Sequence, residues 1–291
     1  MIQTKPYDYL VKYTPQRDWI EGHGILVAFA MFFGGLSGGL YLASLFFDSQ
    51  LGLFVAWILA MVTGVVDMAH LSKPMRFWRM LLKPRTSWIS RGFIVIWMFL
   101  GLAAIQLAIS QWASGSSAET VFKVLAGICA FGVAIYSGFV VSFVNGIKLW
   151  NSSIVPVLYV VAGVTGGLAI LLIAAQDSDY LGMAIYNVVL IALVASAVCI
   201  AIYLWTATYE SKAARDSVTR ILKGNIAPVF WLGVVGLGIV LPIILILPFS
   251  LGDSTSTPAF IIAAVCAIIG GVTLRYTILK AGVYSPLVPG E

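Results

Sequence analysis

Long apolar runs alternate with short polar connections along the whole chain. Eight runs stand out, at about Gly22–Phe47, Leu51–Met68, Trp88–Ser110, Val121–Ile147, Val155–Ala175, Leu181–Tyr203, Ile226–Phe249 and Ala259–Lys280. About 20 apolar residues in a helix cross the hydrocarbon core of a bilayer. The pattern therefore predicts an all-α integral membrane protein with eight transmembrane helices, arranged as two four-helix bundles over residues 1–147 and 148–291. The second run is the shortest and extends towards residues 69–71. The seventh carries Pro242 and Pro248, which predicts a kink, because proline supplies no N–H to the helix ladder.

Composition sharpens this reading. Of 291 residues, 60% are hydrophobic and only 10% charged, against about 25% charged in a soluble domain. Too little polar surface remains for a water-facing body of any size. The three cysteines, Cys129, Cys199 and Cys266, all lie inside apolar runs and have neither metal spacing nor a disulfide framework. Met1 to Asp18 is polar, so the chain does not open as a cleavable signal peptide, and the first run is too long for a signal core.

Charge is sorted by side. One face collects Lys5, Lys12 and Arg17, the loop with Lys73, Arg76, Arg79, Lys83, Arg85 and Arg91, then Lys148. The loop with Lys212, Arg215, Arg220 and Lys223, and the tail with Arg275 and Lys280, complete it. The other face has Asp48, Glu119, Asp177, Asp179 and Asp253, with Lys123 its only basic residue. Short Lys/Arg-rich loops stay in the cytoplasm, so both termini are expected there, in the inner (cytoplasmic) membrane. A basic surface also suits an acidic partner subunit. The basic loops lack the aromatic interleaving of a nucleic-acid surface, which excludes that partner.

Small residues mark expected helix contacts. Gly34-Gly35-Leu-Ser-Gly38-Gly39 overlays two GxxxG spacings in the first span, and Thr165-Gly166-Gly167 echoes them in the fifth. Such spacing lets helix backbones approach closely.

Candidate chemistry gathers near the basic face. His23 opens the first span and His70 ends the second, and they are the only two histidines. A two-haem membrane cytochrome needs four axial histidines, so the count excludes it, while one bis-histidine haem remains geometrically open. Asp67 lies three residues before His70 on one helix face, with Arg76 and Arg79 close in sequence. That group serves either as an ion pair anchoring the loop or as a proton relay, since ionisable groups at membrane depth are functional candidates. Trp19, Glu21 and His23 form a second cluster. Trp19 is either an interfacial belt residue or an aromatic wall beside an imidazole whose pKa lies near neutral. Tyr136 sits inside the fourth span, about 15 Å below the basic face at 1.5 Å per residue. Its hydroxyl needs a partner, either a neighbouring helix carbonyl or a ligand.

The chain resembles the NrfD/polysulfide-reductase membrane-subunit family. The matching pieces are Trp19-Ile-Glu-Gly-His23, Phe33-Gly-Gly-Leu-Ser-Gly-Gly-Leu-Tyr41, and Asp67 followed by Lys73-Pro-Met-Arg76-Phe-Trp-Arg79. Next come Pro84-Arg-Thr-Ser-Trp88-Ile-Ser-Arg-Gly92, Tyr136-Ser-Gly-Phe and Leu149-Trp-Asn-Ser-Ser-Ile-Val-Pro156. The likeness covers nearly the whole chain, and the Pro84–Gly92 run is its most specific part. It implies a haem-free anchor binding a quinone, menaquinone or ubiquinone. The partner it implies is a ferredoxin-like iron–sulfur subunit, with a molybdopterin catalytic subunit beyond. The family's quinone-binding histidine and tyrosine fall on His23 and Tyr136, its acid on Asp67, and a late arginine on Arg275. Trp19 stands where relatives place an asparagine. Glu21, His70 and Arg76 would complete a polar network with Asp67, and Lys73, Arg79, Lys83, Arg85 and Arg91 would dock the partner. Several relatives serve catalytic subunits outside the cytoplasm, whereas the charge pattern here places the motif face inside.

The function this implies is electron exchange between the membrane quinone pool and the iron–sulfur subunit. A secondary transporter is the alternative, suited by eight spans and a proline-broken helix. A purely structural anchor is the third reading. Substrate choice would lie in another polypeptide.

Overall fold

Serine caps set the starts of the early helices. Ser49, Ser87 and Ser116 each accept a hydrogen bond from the backbone N–H three residues on, at Gly52, Ser90 and Glu119. Each cap satisfies one N–H that the helix itself cannot. The computed structural model of the chain describes residues 12–71, 73–174, 179–251 and 257–286. Lys5, Asp177 and Asp253, and the side chains of His70 and Asp179, lie outside the described residues.

The helices are α1 (Ile25–Phe46), α2 (Gln50–His70), α3 (Trp88–Trp112), α4 (Ser117–Ser142), α5 (Ile154–Ala174), α6 (Asp179–Glu210) and α7 (Lys212–Leu222). A π-helical segment, Val229–Val240, runs straight into α8 (Leu241–Ser250), and α9 (Thr257–Ala281) follows. Among the described residues, eight helices are long and apolar enough to cross a membrane: all of these except α7, with Val229–Ser250 counted as one.

The first and fifth spans are the most enclosed, each 67% buried over its central stretch. Helix α1 packs on α2, α4, α5 and α9. The glycines expected at contacts lie at those contacts. A Cβ at Gly39 would run into the Gly163 backbone, and one at Gly167 into Leu40. Helices α1 and α5 therefore cross backbone on backbone, as GxxxG spacing allows. The buried apolar side chains form two clusters, separated by depth. One holds Leu40, Phe99, Leu171 and Phe260 towards the weakly charged face. The other holds Trp150, Tyr159, Tyr203 and Leu279 towards the basic face.

The chain ends are fastened together on the basic side. Strand β1 (Thr14–Pro15) pairs antiparallel with β2 (Val283–Tyr284), with Thr14 opposite Tyr284 and Pro15 opposite Val283. Gln16 bonds the carbonyl oxygens of Gly282 and Leu279 through its backbone and side-chain N–H groups. Lys280 pairs with Glu21 at 3.1 Å.

Four elements differ from the sequence expectation. The fourth span begins at Ser117 and ends at Ser142, because Asn151 Nδ2 caps the Ser142 carbonyl at 2.7 Å and turns the chain towards Trp150. The sixth span continues past Tyr203 to Glu210, its polar last turns satisfied by Thr206 and Thr208 hydroxyls bonded back to helix carbonyls. The basic loop after it is a helix, α7, capped by Ser211 and burying Ala213, Ala214, Ser217, Val218 and Ile221. In the seventh span the irregularity lies upstream of Pro242. That proline starts α8, and the turns before it take i→i+5 bonding, as in Leu241 N–H to Gly236 O. A proline cannot close the preceding ladder, which is the local reason for the change.

Candidate functional site

Tyr136 on α4 reaches into the space between α1, α2 and α3. Its ring occupies the place where a Cβ on Gly92 would be. A Cβ on Gly34 would lie 3.7 Å from Tyr136 Cε1 and 3.4 Å from Thr63 Cγ2. Thr63 precedes Asp67 by four residues on α2, so the two share a face. Asp67 is near enough for its charge to act on the Tyr136 hydroxyl. Both residues are partly buried. The first four spans thus hold a phenol and a carboxyl within charge range of each other, beside the small residues Gly34 and Gly92, and both keep part of their surface exposed.

Arg275 on α9 approaches a neighbouring face of the same α1 turn. A Cβ on Gly35 would touch its Nη2. Only 1% of the residue is exposed. Nη1 donates to the Gly271 carbonyl at 3.0 Å and Nη2 to the Tyr159 carbonyl at 3.4 Å. The guanidinium lies 5.5 Å from the Phe32 ring centre and 5.2 Å from that of Tyr159. Its Nε and the Tyr159 hydroxyl have no hydrogen-bond partner among the described residues. Gly34 and Gly35, adjacent in sequence, therefore put Tyr136 and Arg275 at one depth on neighbouring faces of α1.

His23 is placed differently. It sits in a single 3₁₀ turn, Gly22–Gly24, ahead of α1, and is exposed. Gly22 has φ +57, and a Cβ on Gly24 would collide with the Asp18 carbonyl, so both glycines are needed to make this turn. Gly34, which Tyr136 touches, lies eleven residues further along, about 16 Å by helical rise. His23 thus stands at the rim and Tyr136 with Asp67 in the interior. Trp19 is half-buried, its ring 5.2 Å edge-on from the fully buried Trp150. Trp150 in turn donates to the Ile278 carbonyl at 2.8 Å. Trp19 and Glu21 are thereby part of the fastening between the arm and the end of α9.

The loop after α2 forms a 3₁₀ stretch, Pro74–Leu82, with Lys73, Arg76, Arg79, Lys83 and Arg85 exposed. Arg91 is the exception among the basic residues here. It donates to the Pro84 and Arg85 carbonyls at 2.8 and 2.7 Å and lies 4.4 Å over the Trp88 ring. Trp88 itself stacks on Phe139 at 4.3 Å. Arg91 braces the loop over the start of α3, beside α4. The side chain of His70 lies outside the described residues.

Sequence reasoning passed over Thr63, although its i,i+4 spacing to Asp67 was readable. It also passed over the hydroxyl pair Thr165–Ser196, 2.9 Å apart beside a cavity of about 30 Å³ between the later spans. An apolar groove of about 330 Å³ between α2 and α3, lined by Phe54, Trp57 and Leu107, lies away from these groups.

Among the described residues, eight apolar helices, with a partly buried phenol and carboxyl among the first four and a buried guanidinium beside α1, define a multi-pass membrane protein. The profile of the family described as polysulphide reductase, NrfD, matches residues 21–286, and the chain belongs to that family. Two relatives are similar to it. A polysulfide reductase subunit of Wolinella succinogenes is 26% identical over 172 residues, 55% of this chain and 53% of that one. The match thus spans about half the length of the Wolinella protein. Protein NrfD of Escherichia coli (strain K12) is 24% identical over 260 residues, 77% of this chain and 79% of the relative.

Proposed function

We propose that this chain is the haem-free, quinone-reactive membrane subunit of a respiratory oxidoreductase. In this reading it links the quinone pool to a ferredoxin-like iron–sulfur subunit, with a molybdopterin catalytic subunit beyond. Family membership supports the reading. On the molecule itself, the seat of Tyr136 against Gly92 and Gly34, within charge range of Asp67, carries it.

The residues suit a quinone head group, menaquinone or ubiquinone. Such a group needs flat apolar walls, a hydrogen-bond donor and a carrier of protons. The Tyr136 phenol supplies the donor, Asp67 the carrier, and the bare faces of Gly34 and Gly92 let the tyrosine ring sit deep. A bound quinone would supply the carbonyl-to-hydroxyl chemistry that takes up two electrons and two protons. Tyr136 holds and orients one oxygen. Asp67 exchanges a proton at its carboxyl with the head group, and His70, three residues on, extends the relay to the aqueous edge. His23, exposed in the turn ahead of α1, serves the mouth of the pocket as a hydrogen-bonding imidazole. Arg275 adds a fixed positive charge on a neighbouring face of α1.

The exposed Lys73, Arg76, Arg79, Lys83 and Arg85 form the docking face for the iron–sulfur subunit, with Arg91 holding their loop in place. The same basic face would lie in the cytoplasm, both termini with it, by the rule that positive loops stay inside.

Purification with native partners tests this reading. It expects an iron–sulfur polypeptide and quinone in the complex, and no b-type α band from this chain after dithionite reduction. A haem band belonging to this chain would overturn it.

A further inference from the structure

Helix α7 has two faces with different uses. Its inner face, with Ala214, Val218 and Ile221, is buried. It packs on α6, α9 and the π-helical segment. Its outer face carries Lys212, Arg215, Thr219 and Lys223, all exposed and spaced three or four apart. Arg220 turns inward instead. Its Nη1 donates to the Ala281 carbonyl at 3.4 Å, and burial pulls its pKa below the usual guanidinium value.

The stripe stands at a membrane boundary. The sixth span ends at Glu210 and the seventh starts at Val229, so α7 begins where the chain leaves the apolar region. Large exposed aromatics flank it. Trp205 and Tyr209, each 68% exposed, stand on the last turns of α6. Trp231, 50% exposed at the start of the next span, donates from Nε1 to the Leu222 carbonyl at the end of α7. Tryptophan and tyrosine facing lipid sit at the headgroup level. The basic stripe is therefore held beside headgroups. Two acids are close in sequence. Glu210 lies within charge range of Lys148, and Asp216 is half-buried. Lys212 also lies 5.5 Å from the Tyr13 ring, which fixes its direction without neutralising it.

We propose that the outer face of α7 binds the headgroups of acidic phospholipids. Lys212, Arg215 and Lys223 take the phosphates, and Trp205, Tyr209 and Trp231 hold the glycerol–acyl boundary. Charge complementarity selects the lipid. A juxtamembrane Lys or Arg favours an acidic leaflet by about fivefold in affinity, and three on one face act together.

The test uses the full chain in its purified complex, titrated with phosphatidylglycerol or phosphatidylcholine and read by native mass spectrometry. Wild type should prefer phosphatidylglycerol. The double variant Lys212→Gln/Lys223→Gln should lose about 25-fold of that preference and bind phosphatidylcholine as before. Arg215 is left intact because its Nε bonds the Thr208 carbonyl at 3.1 Å. On wild type alone, 0.5 M NaCl should weaken the preference, because salt screens exposed charges. An unchanged preference in the α7 variant, or in high salt on wild type, overturns the proposal. So does loss of a partner polypeptide from that variant with phosphatidylglycerol binding intact, which would assign the stripe to an acidic protein.

Discussion

Tyr136 lies on Gly92 with no room for a methyl group between them. The contact joins α3 to α4 and fixes where the phenol ring enters the space between α1, α2 and α3. It also gives the motif that ends in Gly92 a physical meaning. The run from Pro84 turns the basic loop, caps α3 at Ser87 and delivers a residue without a side chain to the tyrosine.

Gly92→Ala should therefore move the tyrosine ring. Overpacking of this kind costs about 1–3 kcal/mol. The variant complex should assemble with a lowered thermal midpoint and lose quinone-dependent turnover by tenfold or more. Normal turnover together with a wild-type midpoint would show that the ring does not need the glycine.

The α1–α5 crossing gives a second prediction. Gly39 meets the Gly163 backbone, which cannot step aside, whereas nothing lies within 4 Å of a Cβ at Gly64 or Gly101. Gly39→Ala should cost about 3 kcal/mol or more and reduce the folded yield in detergent. Gly64→Ala and Gly101→Ala should stay within about 1 kcal/mol of wild type, the scale of helix propensity.

Much of this was legible in the sequence and some was not. Apolar run length found every span, because the bilayer sets that length directly. The glycine pairs of the first span found the helix crossing, because close approach demands small residues. What the sequence left out depends on where side chains end up in space. Arg91 reads as one more charge in a basic loop, yet its carbonyl partners at Pro84 and Arg85 turn it into a brace. Trp19 reads as a belt residue or a ligand wall, and hydropathy does not show that its ring meets Trp150, 131 positions away. Helix α7 was hidden because its apolar face is short and broken by alanine and serine. The rim position of His23 follows from Gly22–Gly24, a turn that hydropathy does not register.

Asp67→Asn should keep the hydrogen-bonding shape and remove the proton exchange. Quinone-dependent turnover should fall, its pH profile should change form, and the apparent affinity for quinone should change little. A variant with weakened affinity and an unaltered pH profile would make Asp67 a binding group only.

Reporter fusions test the topology. Fusions after residues 48, 115, 178 and 253 should report one side of the membrane and fusions at 80 and 215 the other. The first four should report outside if the basic loops are cytoplasmic. A mixed result among the four would break the eight-span arrangement.

The most direct measurement is quinone-dependent turnover of the assembled complex carrying Tyr136→Phe, beside turnover of its catalytic partner with a soluble dye. The substitution removes one hydroxyl and leaves the ring on Gly92. Removing a positioned proton donor costs about 10²-fold or more. Turnover with quinone should fall on that scale while the dye reaction persists, and His23→Ala should lower the same quinone reaction from the rim. Wild-type quinone turnover in both variants would place the pocket elsewhere and contradict the account.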